Sequence, residues 1–305
     1  THDGRPGSDY HHGRQRPRHV CESFERRLLR LASKRQTLRN QEQKAPRRAR
    51  RRTATRLKQQ NAPPVGEYFF DGIICIMLID SHCHLHDEFP IPIDDALAKS
   101  HQNGVDKIIV IGTSPEDSAK ACNFAAEHDE VHWTFGYHPE EFDGDRGKLE
   151  KALEAAKTIL KDKKLVGIGE IGLDYHFPPT DKEAQWFLLE NMLQIAQDMK
   201  LPVSFHVRDA FDDFWPIFDN FKLPTSVLHS YTDSEENMAQ GLKRDLYFGV
   251  NGIATFADIA HPPIERVVLE TDAPYLTPKP FRGKINESAY IRNIAEWAAE
   301  YYKLS

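Results

Sequence analysis

The 305-residue chain is poor in cysteine and has no long apolar run. Its four cysteines, Cys21, Cys75, Cys83 and Cys122, form no CxxC pair and no regular spacing. That excludes a disulfide framework and fits a reducing, cytoplasmic compartment. The longest apolar stretch, "IICIMLI", is far too short to span a bilayer, so no membrane partner is expected. No signal-peptide pattern stands out at the N-terminus. Neither GxGxxG nor GxxxxGK[ST] occurs, which argues against a dinucleotide fold and a P-loop.

What is present has the profile of a soluble globular protein, 40% hydrophobic and 28% charged. The net charge of -6 hides an asymmetry. Residues 1–67 carry 18 of the 40 basic residues and only 6 of the 46 acidic ones, leaving 22 basic and 40 acidic residues for 68–305. Residues 1–67 are poor in large apolar side chains and read as disordered or weakly helical. One helix is expected around Cys21–Asn40, where Phe24, Leu28 and Leu31 share a face. The basic segment reads as a nucleic-acid or membrane-surface tail, or as a targeting or non-native extension, with the last two readings favoured. Met77 is a candidate native start. The expected division is a basic extension of low order, 1–76, followed by one domain, 77–305.

From Met77 onward, eight short apolar runs recur: "MLIDSHCHL", "KIIVIGTS", "VHWTFGYHP", "LVGIGEIGLD", "PVSFHVRD", "TSVLHSY", "LYFGVNG" and "VVLETDAPYL". Amphipathic segments separate most of them, including 94–103, 116–128, 182–199 and 234–242. Val- and Ile-rich runs alternating with helices imply parallel strands buried on both faces. Eight such units predict an α/β fold, a closed (β/α)8 TIM barrel. Nearly every run carries polar, reactive residues at its C-terminal end, the rim on which such barrels build active sites.

His82 and His84 lie two apart on a strand and therefore point the same way. Two imidazoles on one face can hold a divalent ion, although surface and capping histidines are common. His86 lies beyond the strand's expected end and reads as a loop residue. Glu170 sits within an apolar, Gly-rich strand, where a carboxylate needs a metal or a salt bridge. His206 and His229 end two successive strands, and Asp272 ends the last one. Each has a plainer reading, as a satisfied core histidine or a turn cap. Together, four histidines and two carboxylates exceed the needs of one tetrahedral ion. They suit two divalent metal ions (Mg, Mn or Zn), with Glu170 able to bridge them. Ions about 3.5–4 Å apart generate hydroxide at neutral pH and stabilise attacking and leaving oxygens. Asp272 can orient the attacking water and accept its proton, so Glu170 and Asp272 are the catalytic candidates.

The stretches "DSHCHL", "GYHPE", "GEIGLDY", "FHVRDA", "LHSYTD" and "LETDAPYLTP", followed by "FRGKINES", resemble the TatD family of metal-dependent deoxyribonucleases, within the amidohydrolase-like metallohydrolase barrels. The resemblance runs from Met77 nearly to the C-terminus. It implies His82, His84, Glu170, His206, His229 and Asp272 as metal ligands. His138 becomes a substrate or phosphate contact, or else a turn residue before Pro139. Arg208 and Arg282 are candidates for phosphate oxygens, or surface arginines in salt bridges. The implied activity is cleavage of DNA, trimming single strands from the 3′ end, with no obligate protein partner evident. Two other readings are a metal-dependent amide or ester hydrolase, acting for example on aminoacyl-tRNA, and a non-catalytic nucleic-acid-binding protein. Two departures from the family stand out. "HPPIER" cuts the seventh crossover short, and the chain stops about one helix early.

Overall fold

A computed structural model of the chain describes residues 68–70, 73–75 and 77–304, apart from Asp87, Glu88 and Pro179. All of them belong to the unit Arg56–Ser305. The basic segment 1–67, with the helix expected around Cys21–Asn40, lies outside the described residues. Within 68–76, Tyr68–Phe70 and Ile73–Cys75 pair as a short antiparallel hairpin.

The eight apolar runs form eight parallel strands: β1 (Leu78–Cys83), β2 (Val105–Ile111), β3 (Val131–Phe135), β4 (Leu165–Asp174), β5 (Val203–Arg208), β6 (Val227–Leu228), β7 (Tyr247–Val250) and β8 (Val267–Leu269). They follow one another in chain order, each pairing with the next. The helices between them are α1 (Ile93–Gln102), α2 (Pro115–Glu127), α3 (Arg146–Ala156), α4 (Lys182–Met199), α5 (Phe211–Phe218) and α6 (Glu235–Lys243), with α7 (Ile291–Tyr302) after β8. This is the TIM-barrel architecture predicted from the repeat of runs and helices.

Local chemistry explains these elements. Period-2 alternation on β3 buries Val131, Trp133 and Phe135 completely. On α4, Leu188, Leu189, Met192, Leu193 and Ala196 recur at helical spacing and are all buried. Each fully buried Leu or Met contributes about 1.5–3 kcal/mol. Short polar side chains cap the helices, as Ser114 Oγ does by accepting from Asp117 N–H (3.1 Å) and Asp181 Oδ1 from Ala184 N–H (3.0 Å). Phe205 of β5 stacks edge-on against Phe214 and Phe218 of α5, at 5.1 and 5.7 Å.

The seventh crossover contains no α-helix, only short 3-10 turns at Gly252–Thr255 and Ile264–Arg266. Pro262 and Pro263 lack the N–H groups that a helix needs there. Val267, Val268 and Leu269 are consequently only half-buried, although Ile259 and Trp297 pack nearby.

Between β8 and β1 the barrel is closed by hydrogen bonds that involve side chains and the adjoining loop. Ser81 Oγ donates to Leu269 O (2.8 Å), and Asp80 accepts from Thr271 N–H (2.9 Å) and Oγ1–H (2.6 Å). Asp272 N–H donates to His82 O and His84 N–H to Ala273 O, both at 2.8 Å. This seam fixes His82 and His84 against Asp272, across nearly two hundred residues of sequence.

Candidate metal centre

Two β-bulges aim the first side chains. On β4 the register advances from Ile168 opposite Val203 to Ile171 opposite Phe205, so one residue is extra. On β1 it advances from Asp80 opposite Ile108 to Cys83 opposite Val110, again with one extra. A bulge bends its strand and re-aims side chains. Here the bulges sit at Glu170 and His82. Glycine permits the first: a Cβ on Gly169 would lie 2.7 Å from Ser204 O, and one on Gly172 only 1.7 Å from His206 O.

Glu170 is 4% exposed and divides its two oxygens between two groups of histidines. Oε2 lies 3.4 Å from His82 Nε2 and 4.0 Å from His84 Nε2. Oε1 lies 2.9 Å from His206 Nδ1, 3.8 Å from His229 Nε2 and 3.9 Å from His138 Nε2. Asp272 Oδ1 is 3.4, 3.7 and 3.9 Å from the Nε2 atoms of His84, His82 and His229. Three groups of side chains are close enough to share an ion: His82–His84–Glu170, His82–His229–Asp272 and His138–Glu170–His206. All six expected ligands therefore converge, and His138 joins them.

The partners behind these residues fix their ring nitrogens. His206 Nε2 faces Asp174 Oδ2 at 2.7 Å, leaving Nδ1 toward Glu170. His229 Nδ1 is 2.9 Å from Glu270 Oε1, an ion-pair contact rather than an aligned hydrogen bond. Glu270 is 1% exposed and also accepts from Ser230 N–H (2.7 Å) and Asn251 Nδ2–H (3.3 Å). His82 Nδ1 meets Ser204 Oγ at 3.2 Å. Such outer partners set a ligand's tautomer and orientation. Asp174 ends the run "LVGIGEIGLD", but the sequence alone gives it no role, and it gives none to Glu270 or Ser204. The signal for Glu270 was "LETD", which places a second carboxylate two residues before Asp272.

Burial and charge pull the protonation states apart. Burial would raise Glu170, but His229, His82 and the hydrogen bond with His206 hold its carboxyl well below the ordinary range. Asp272 is lowered too, His84 and His229 outweighing its burial. Burial would lower His229, yet Glu270 and Glu170 push it up to about 10. His206 reaches about 9 because Asp174 and Glu170 overcome its burial. Burial and the neighbouring His229 lower His82, and burial lowers His138 to about 4.

The residues fit divalent ions. His82 Nε2 is buried without a hydrogen-bond partner and is flanked by two ionised carboxylates. A buried nitrogen left in that state is rare unless something else binds it. The donor set of imidazoles and carboxylates suits Zn, Mn or Mg.

The remaining candidates lie further out. Arg208 walls the cleft above the cluster, a space of about 880 Å³, and makes no ion pair among the described residues. Arg282 does not reach that wall; its exposed guanidinium stacks 3.6 Å above the Phe256 ring. His86 lies in the turn after β1, as expected, yet its side chain is 2% exposed. It bonds Asp117 at 2.9 Å and forms part of the cleft wall.

Known proteins share the sequence pattern and the fold. Residues 79–305 match the family described as TatD related DNase. The metal-dependent hydrolase YabD of Bacillus subtilis is 30% identical over 75% of this chain and 92% of its own length. The 3'-5' ssDNA/RNA exonuclease TatD of Cronobacter sakazakii is 31% identical over 68% of this chain and 84% of its own. Among solved structures, YJJV, a TatD homolog from Escherichia coli K12, superposes with a TM-score of 0.64 at 30% identity, covering 73% of this chain and 89% of that one. The chain belongs to the TatD family of metal-dependent hydrolases.

Proposed function

We propose that this hydrolase cleaves DNA phosphodiester bonds and removes nucleotides from the 3′ end of single strands. The observation that carries the reading is the divided Glu170 carboxylate, whose oxygens face separate histidine groups beneath an open cleft. In this reading the ligands are His82, His84, Glu170, His206, His229 and Asp272, arranged for two divalent ions. Such ions, when bound, supply Lewis acidity toward a phosphoryl oxygen and acidify water.

The chain's own residues do the rest. Asp272 stays ionised at neutral pH and its side chain is 13% exposed, so its carboxylate can orient the attacking water and accept its proton. Glu270 and Asp174 keep His229 and His206 turned toward the centre. The unpaired guanidinium of Arg208 can hold a non-bridging phosphate oxygen, a fork suited to that geometry. His138, lowered to about 4, is neutral at pH 7 and can accept or donate a hydrogen bond there. Arg208, with the bound cations, would supply local positive charge that the acidic residues 68–305 otherwise lack. The buried, unbridged Cys83 is compatible with a cytoplasmic setting.

The test is release of nucleotides from single-stranded oligonucleotides in Mg²⁺ or Mn²⁺, with a Glu170→Ala variant and an aminoacyl ester as comparison. Metal-dependent release that the variant loses supports the reading. Equal release by both proteins, or hydrolysis of the ester alone, rejects it.

A further inference from the structure

Few large apolar or aromatic side chains of the described residues are strongly exposed, and two of these, Tyr275 and Phe177, belong to the barrel mouth. Tyr275 is 62% exposed and walls the cleft, its ring centroid 6.3 Å from that of His84. Phe177 is 59% exposed, and the guanidinium of the cleft residue Arg208 lies 5.2 Å from its ring centroid. Tyr275 follows β8 and Phe177 follows β4. In a barrel of eight strands in chain order, the fourth and eighth stand opposite each other. The two rings thus belong to facing sides of the rim, with the histidine–carboxylate cluster between them.

The backbone under Tyr275 is fixed. Its N–H donates to Asp272 O (2.8 Å), and its carbonyl accepts from Asn286 Nδ2–H. Asn286 is itself fully buried and also donates to Thr271 O (2.8 Å). A firmly held loop presenting a bare ring loses water and little conformational freedom when a flat ligand covers it. Phe177 offers the same kind of face beside a cation, pairing a surface for a base with a charge for its phosphate.

From this placement we infer that Tyr275 and Phe177 are stacking platforms for unpaired nucleobases, which hold a single strand across the mouth with a phosphate over the cluster. A duplex hides its base faces within the helix, so the rings select single-stranded chains and frayed ends. The inference rests on the proposed nuclease reading and assigns two residues within its substrate path. Stacking on an aromatic ring contributes about 1–3 kcal/mol per base, which at 1.4 kcal/mol per tenfold is ~5- to 140-fold in affinity.

The experiment uses the full chain and a fluorescein-labelled oligothymidylate, with binding read by anisotropy in EDTA so that no cleavage intervenes. Tyr275→Ala and Phe177→Ala should each weaken binding by ~5- to 140-fold, and Tyr275→Phe should restore it. An oligonucleotide of equal length built from abasic units should bind wild type at least as weakly as either alanine variant binds the normal strand. Equal binding of both oligonucleotides by wild type, equal binding by wild type and both alanine variants, or no binding at all overturns the inference. Cleavage of single strands that ignores both rings removes the stacking role and leaves the nuclease reading intact. Ring-dependent binding without cleavage does the reverse.

Discussion

Loading the centre with divalent ions at pH 7 should expel between two and three protons. His206 and His229 lie at about 9 and about 10 in the metal-free protein, so both are almost fully protonated at pH 7. Each must surrender the proton facing the centre before its nitrogen can bind an ion. His84 is raised as well and adds a fraction, because Asp272 outweighs its burial. His82 is lowered and adds none, and the carboxylates of Glu170 and Asp272 are already ionised. The logarithm of the overall loading constant should therefore rise by about two or more per pH unit from pH 7 to 8, less steeply toward pH 9, and flatten above about 10. Calorimetric titration with Mn²⁺ or Zn²⁺ in buffers of different ionisation enthalpy counts the protons directly. Glu270→Gln should reduce the count by about one, since Glu270 is the main influence raising His229. Release of less than one proton by wild type would refute the reasoning, because the histidines would then already be neutral.

Three further outcomes are expected. Gly249→Ala places a Cβ 2.3 Å from Glu270 Oε2, so the carboxylate must leave His229; metal affinity should fall by about 10–100-fold, measured by competition with a chelating dye. Metal-free protein should lose stability from pH 7 to 9, as read by melting in EDTA. The raised His206 and His229 stabilise fully below 6.5 and lose that contribution as pH rises through about 9 and 10, while the lowered Glu170 and Asp272 lose theirs as pH falls below about 4.5. A melting temperature that climbs from pH 7 to 9 in EDTA contradicts this assignment. Phe205→Ala removes a fully buried ring from the contact of β5 with α5 and should cost about 3–5 kcal/mol, a fall in melting temperature of about 6–20 °C.

Much of the candidate centre was legible because histidines and carboxylates are costly residues in apolar strands. A carboxylate inside "GIGEIGLD" or histidines ending "SVLH" and "VSFH" stand out against their neighbours, and strand periodicity put His82 and His84 on one side. Several helix positions were legible from their amphipathic pattern, with 182–199 matching α4 and 94–103, 116–128 and 234–242 each shifting by a residue. His86 was harder to read. Its place in a turn is local, but its burial against Asp117 depends on α2, which arrives thirty residues later.

The sequence by itself determined the repeat of buried strands and capped helices, the shortened seventh crossover, and the residue types at the strand ends. These follow from side-chain periodicity and backbone chemistry, which act over a few neighbours. Only the tertiary structure decided how those ends meet. The bulges opposite Ser204 and Ile109, the zipped seam between β8 and β1, and the attachment of Glu270 to His229 all depend on strand register. So does the separation of Arg208, at the cleft, from Arg282, stacked on Phe256. Register is set by contacts between segments far apart in the chain, and a list of residues in order does not contain those distances.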